Sequence, residues 1–271
     1  MLKLVERVHS YGTILKTIIR NACGIKLDPE VHILNRFISA GSICFDIGAA
    51  YGRYALTMSR LAGRSGRVYC FEPAEHSHRV LSKIVKFYHL ENVAIVKKAF
   101  SDQEGTGNLA LPIKRNSKVS PGLAHSLAHL VTDSDTNYMS NAITLTTMDR
   151  YASKVNISRL DFIKCDVEGA ELLVFEGGRN TIERFKPVVL CEIYKTWLKR
   201  FATIPEHVHE FFRKLGYSAF ALTNGELREV KTIKEDRNFF FIPSQVSKTN
   251  NFQKQRTAES DTTHRDKAEK F

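Results

Sequence analysis

From Ser42 onward, short and nearly uninterrupted apolar runs recur, and amphipathic stretches separate most of them. The runs are ICFDI (43–47), RVYCFE (67–72), VAIVK (93–97), LDFIKC (160–165) and VVLCEI (188–193). Helical spacing fits 53–61, 75–90 and 170–185 between them. A strand that is apolar on both faces must be covered on both, and an intervening helix makes the crossover that parallel pairing needs. The alternation therefore predicts an α/β fold, a doubly wound, mostly parallel sheet. After a helix over 205–215, YSAFAL and RNFFFIP read as a closing pair of strands. Between them lies TNGEL, whose Asn224-Gly225 is a hairpin turn signal. The sheet thus acquires an antiparallel closing strand.

The flanks read differently. Residues 1–41 are expected to form an N-terminal helical extension, 42–243 the main domain and 244–271 a disordered tail with scarcely any apolar content. Within the extension, Leu4, Val8, Tyr11, Leu15 and Ile18 make an amphipathic stripe over 1–20, flanked by Lys3, Arg7, Lys16 and Arg20. Such a helix either lies on an anionic membrane as a peripheral contact or docks on its own domain, and docking is the expectation. Asp28-Pro29 should start a second helix, with Asp as N-cap. A long polar, turn-rich segment over 113–142 interrupts the rhythm between NLALP and ITLTT; loops of that length are usually functional or disordered.

Charge and cysteines narrow the class. The 271 residues carry a net charge of +11, which invites a nucleic-acid reading. Yet the Lys and Arg residues are scattered rather than gathered in a stripe, so a soluble basic surface is expected and no nucleic-acid partner. The five cysteines form no C-x-x-C pair, and Cys44, Cys70, Cys165 and Cys191 each fall in a strand-like run. Buried thiols there point to a reducing, cytoplasmic setting. No stretch has the length of a membrane span.

The first strand runs into DIGAAYG: Asp46, Gly48, Ala49, Ala50, Tyr51, Gly52. Glycines at such a turn let a ligand approach the backbone, and the following helix start offers free N–H groups. A dinucleotide site would read G-x-G-x-x-G to hold a pyrophosphate. Here the spacing is G-x-x-x-G, and Asp46 precedes it. A carboxylate aimed into the loop repels a pyrophosphate but holds an amino group, which favours S-adenosylmethionine over a nicotinamide cofactor. Glu72, at the end of the second strand, is placed to accept bonds from both ribose hydroxyls, or else to cap the helix near Pro73.

DIGAAYG, FEP, AFSDQEG, PGLAHSL and above all DFIKCDVEGAELLVFEGG resemble the FkbM-type S-adenosylmethionine-dependent methyltransferases, over roughly 42–241. The signature K-x-D-x-E-G-x-E is Lys164, Asp166, Glu168, Gly169 and Glu171. One departure is Ala50, where the family usually has Asn. The resemblance implies a Rossmann-like methyltransferase fold and O-methylation of a hydroxyl on a sugar, polyketide or similar small molecule. Cofactor contacts are expected from Asp46, Gly48, Ala49, Tyr51, Gly52, Glu72, Phe100 and Asp166, with Asp46, Glu72, Phe100 and Asp166 gathered in one crevice. A catalytically silent binding module with a basic partner surface is the rival of another class.

Asp166, Glu168 and Glu171 crowd the end of one buried strand, either to cap the next helix or to face a ligand. Like charges so close raise one another's pKa, and a raised acid suits a general base. Asp166 is therefore expected to be the base or acceptor-positioning group, Glu168 the second candidate, and Glu171 structural. Glu192 either faces the acceptor or holds Lys195 or Lys199, while His125 and Ser126 in the long loop are expected to touch substrate. His76/His78 and His207/His209 lie two apart on helices, hence on different faces, and no metal is expected.

Overall fold

The computed structural model describes residues 12–18, 27–112, 129–130 and 138–244. His125, Ser126, most of 1–20 and nearly all of the 244–271 tail therefore lie outside the described residues.

Eight strands form one sheet. In chain order they are β1 (Ile43–Ile47), β2 (Arg67–Phe71), β3 (Val93–Val96), β8 (Phe162–Cys165), β9 (Val188–Ile193), β10 (Tyr217–Thr223), β11 (Glu226–Val230) and β12 (Arg237–Pro243). Their spatial order is β11-β10-β12-β9-β8-β1-β2-β3. The strands from β3 to β9 are mutually parallel, and β12, β10 and β11 add antiparallel partners. A second, four-stranded sheet has the order β4-β7-β5-β6, from β4 (Ala99–Phe100), β5 (Gly105–Pro112), β6 (His129–Leu130) and β7 (Tyr138–Thr146).

The buried runs explain the layers. β8 is buried at all four positions, and β1 and β9 nearly so, because each has core on both faces. One face packs Phe45, Ile47, Phe71 and Phe175; the other packs Cys44, Met58, Val68 and Phe162. The four cysteines in the strands are buried and free. Among the described residues no helix is long and apolar enough to cross a membrane, and no group of His, Cys, Asp and Glu could hold a metal ion.

Three expectations need correction. The helix expected over 170–185 is two helices, Glu171–Glu176 and Arg179–Phe185. Gly177 and Gly178 break it: a Cβ on Gly177 would stand 2.0 Å from the Ser101 carbonyl oxygen, so bare backbone is needed for the β4 end to pass. The Asn224-Gly225 turn joins β10 to β11, not to RNFFFIP. That run, β12, inserts between β9 and β10, because its three consecutive Phe residues fill both core faces and an edge would expose them. Pro29–Arg36 is a 3-10 helix, and the Asp28 carboxylate accepts from Arg53 (2.8 Å) rather than capping it.

β1 is the switch point, since β2 lies on one side of it and β8 on the other. The loops leaving β1 and β8 therefore meet at the carboxyl edge, where ligands bind in such sheets. They meet tightly: at Gly48, with φ of 76°, a Cβ would stand 1.8 Å from the Asp166 carbonyl oxygen. Only glycine fits both that conformation and that distance. Gly48→Ala is expected to cost at least about 2 kcal/mol of stability through combined overpacking and backbone strain, read by denaturant unfolding. A variant as stable as the parent would mean that the two loops do not pack this way.

Candidate active site at the carboxyl edge

The meeting of these loops encloses a cavity of about 100 Å³. Gly48, Glu72, Phe100, Asp166 and Glu168 all line it, with Leu109 and Leu130 of the second sheet as one wall. Its aromatic side is rigid, because Phe71 and Phe100 pack with ring centroids 4.2 Å apart and Tyr151 stands edge-on to Phe71 at 4.8 Å. An apolar slot ending in a carboxylate suits a planar base with its ribose.

Glu72 is 6% exposed, and both of its oxygens serve the loop. Oε2 accepts from the Ala50 N–H (2.8 Å) and Oε1 from the Ala74 N–H (2.8 Å). Capping the following turn and facing a ribose are therefore compatible, since a carboxylate has about four acceptor positions. Burial pushes Glu72 up to about 7, although those two amides pull it down. The bond to Ala50 also pins a residue with φ of 46°, a left-handed conformation that Asn adopts more readily than Ala.

Asp46 does not join the cavity. It is the penultimate residue of β1, so its side chain points to the face opposite Ile47, where its register partner is Lys164. It is 2% exposed, and its Oδ2 is buried without a hydrogen-bond partner. Burial raises it to about 7, against the pull of Lys164. Ala49, Tyr51 and Gly52 also lie off the cavity wall; Tyr51 stands edge-on to His76, with centroids 6.1 Å apart.

The carboxylates after β8 sort differently from expectation. Burial tends to raise Asp166, but Lys164, with Nζ 3.5 Å from Oδ2, and Arg53 oppose it and hold Asp166 below the usual carboxylate value. It is Glu168 that is raised, to about 8, first by burial and then by the Asp166 and Glu171 charges. Glu192 rises to about 9 for the same two reasons, burial and Asp166. Crowding raises Glu168 but not Asp166, because the Lys164 ammonium stands beside Asp166. Glu171 is structural: its Oε1 accepts from the Val167 and Gly169 N–H groups, both at 3.1 Å.

Glu168 also has φ of 58°, uncommon for a residue with a side chain, and is followed by Gly169 at 110°. A Cβ on Gly169 would meet the Trp197 carbonyl oxygen at 2.3 Å, so the turn is pressed against the chain that follows β9. Glu192 is not held by Lys195, whose Nζ donates to the Lys234 carbonyl. Lys164 entered the sequence reading only as part of the signature, with no role attached. Its signal was present in LDFIKC, since a cation in the middle of a fully buried strand must find anions.

Residues 46–219 match the model of the methyltransferase FkbM domain. The chain belongs to the FkbM methyltransferase family. Membership makes S-adenosylmethionine the cofactor. No curated protein matches the sequence. Among solved structures, the FkbM methyltransferase from Methylobacillus flagellatus KT is 15% identical over 74% of this chain and 44% of its own, with a TM-score of 0.47. This chain thus spans less than half of that protein. A SAM-dependent methyltransferase from Aquifex aeolicus is 16% identical over 79% of this chain and 88% of its own, at 0.41. A SAM-dependent O-methyltransferase from Thermotoga maritima is 11% identical over 78% and 63%, at 0.42.

The residues fit this cofactor. The Phe100 slot and Glu72 suit an adenosine, and Gly48 beside them leaves bare backbone for the rest of the cofactor. The raised carboxyls also make stability pH-dependent. Between the ordinary Glu value, about 4.3, and its folded value, about 8, Glu168 keeps a proton that the unfolded chain has lost. Its contribution to stability is therefore full below that window and falls as pH rises through it. Glu168→Gln should be more stable than the parent by about 1 kcal/mol above pH 8, with the gain vanishing near pH 4.5. Thermal melts across that range read it, and a gain independent of pH would contradict the assigned protonation.

Proposed function

We propose that the chain is an O-methyltransferase acting on a hydroxyl of a small molecule or saccharide. The observation that carries this is the convergence, on one cavity, of an apolar slot, the acid Glu72 and the two carboxyl groups Asp166 and Glu168. Phe100 and Leu109 flank the base, Glu72 takes the ribose hydroxyls, and the Gly48–Gly52 loop receives the aminoacyl end. When bound, S-adenosylmethionine supplies an electrophilic methyl group. The chain's own part is to align the acceptor oxygen and remove its proton.

Glu168, raised to about 8, is the proton acceptor in its ionised form, so turnover should grow as pH rises toward that value. Asp166 is the anion that orients the acceptor, and Glu192 beside it contributes to acceptor binding. His125 and Ser126 are assigned to the acceptor from their place in the chain between β5 and β6. The buried thiols Cys44, Cys70, Cys165 and Cys191 support a reducing, cytoplasmic setting.

Calorimetric titration is the first test. S-adenosylhomocysteine should bind with micromolar affinity while NAD and ATP do not compete, and Glu72→Ala should weaken it by about 1–3 kcal/mol. Because Glu72 also holds the Ala50 and Ala74 amides, Glu72→Gln is the control that keeps an acceptor in place. Unchanged affinity in both variants would put the adenosine elsewhere. With an identified acceptor, Glu168→Gln should lower turnover by about 10²-fold or more and Asp166→Asn by less. The reverse ranking would make Asp166 the base.

A further inference from the structure

Lys164 is the charged residue of β8 and is 2% exposed. Its Nζ lies 3.5 Å from Asp166 Oδ2, 3.4 Å from the Cys165 carbonyl oxygen and 5.2 Å from the Tyr54 ring centroid. On the neighbouring strand, Asp46 is its register partner, yet one Asp46 oxygen stays unpaired, so the ammonium leans toward Asp166. Glu192, on the neighbouring β9, is raised to about 9, first by burial and then by the Asp166 charge.

We infer that Lys164 is a positioning residue for the acid–base site: its ammonium, buried in β8 and 3.5 Å from Asp166 Oδ2, holds that carboxyl as the anion of the site. The inference rests on the methyltransferase reading for its consequence, not for its geometry. An ammonium buried this deeply survives as a cation only when paired. Burial opposes its charge, and Asp166 and then Glu192 overcome that opposition. Removing it would leave Asp166 without the cation that contacts it.

Other charges face the pair from every packed element. Glu30, on the 3-10 helix, feels Lys164 from the side away from the cavity, and burial raises it. Arg53, after the glycine loop, favours the Asp166 anion and is itself engaged by Asp28. From the β8–helix turn, Glu168 and Glu171 add negative charge, while the buried thiols Cys165 and Cys191 flank the strand. Lys164 is the cation in contact with Asp166, with Arg53 acting from further off. With the charge fixed in this way, the three carboxyls at the mouth divide their work: Asp166 is a permanent anion, Glu192 a donor, and Glu168 the group free to take a proton.

The test is a ¹³C-carboxyl NMR titration of the full chain, with Asp166→Asn and Glu192→Gln used to assign the two signals. In the parent, Asp166 should stay ionised well after Glu192 has taken up its proton on acidification. Lys164→Met should raise the proton affinity of Asp166 by about tenfold or more, and Lys164→Arg should restore it toward the parent. An unchanged Asp166 titration in a folded Lys164→Met overturns the inference. If that variant does not fold, the parent decides alone: Asp166 protonating at a higher pH than Glu192 overturns it equally. S-adenosylhomocysteine calorimetry on the same samples separates the two readings, because failure of the parent to bind would remove the methyltransferase reading and leave the charge assignment standing.

Discussion

The contact between Gly48 and the Asp166 carbonyl joins the two halves of the site, and the rest of the carboxyl edge is arranged around it. β1 pairs in parallel with β2 on one side and β8 on the other, so the chain leaves the sheet there in two directions. Without a side chain at Gly48, the loop after β1 can lie directly on the loop after β8. That closeness puts Glu72, which ends the neighbouring β2, within the same cavity as Asp166 and Glu168. A bulkier joint would separate the Phe100 slot from the carboxyl groups after β8.

Concentrating carboxyl groups at one edge costs solvation, and the structure offsets that cost in a different way for each. Glu171 takes two backbone amides of its own turn, and Glu72 takes two from the glycine loop and the helix start. Asp166 has the Lys164 ammonium. Asp46 has no such partner for its Oδ2, which is buried on the face of β1 away from the cavity.

The parts of the fold that were legible are those specified by local pattern. β1 and β9 have the boundaries their apolar runs suggest, because strands buried on both faces show up as unbroken hydrophobic stretches. The helix expected over 170–185 was read through Gly177-Gly178, although the glycine pair was itself a break signal. What made it decisive was the Ser101 backbone, far away in the chain. The site was legible as a set of residue types at strand ends, and Glu72, Phe100, Asp166 and Glu168 do share one cavity. Asp46 does not, since the alternation of a strand sends its side chain to the opposite face.

The sequence by itself determined the α/β alternation, the glycine loop after β1 and the carboxyl cluster after β8, because each is a matter of neighbouring residues. Only the tertiary structure decided which carboxyl is ionised and where the last strands go. The charge state of Asp166 depends on a 3.5 Å approach to the buried Lys164, set against its crowding by Glu168 and Glu171. The place of β12 between β9 and β10 depends on burying Phe239, Phe240 and Phe241 on both faces at once. Both are balances between groups distant in the chain, and their outcome follows from distances and burial that no local pattern encodes.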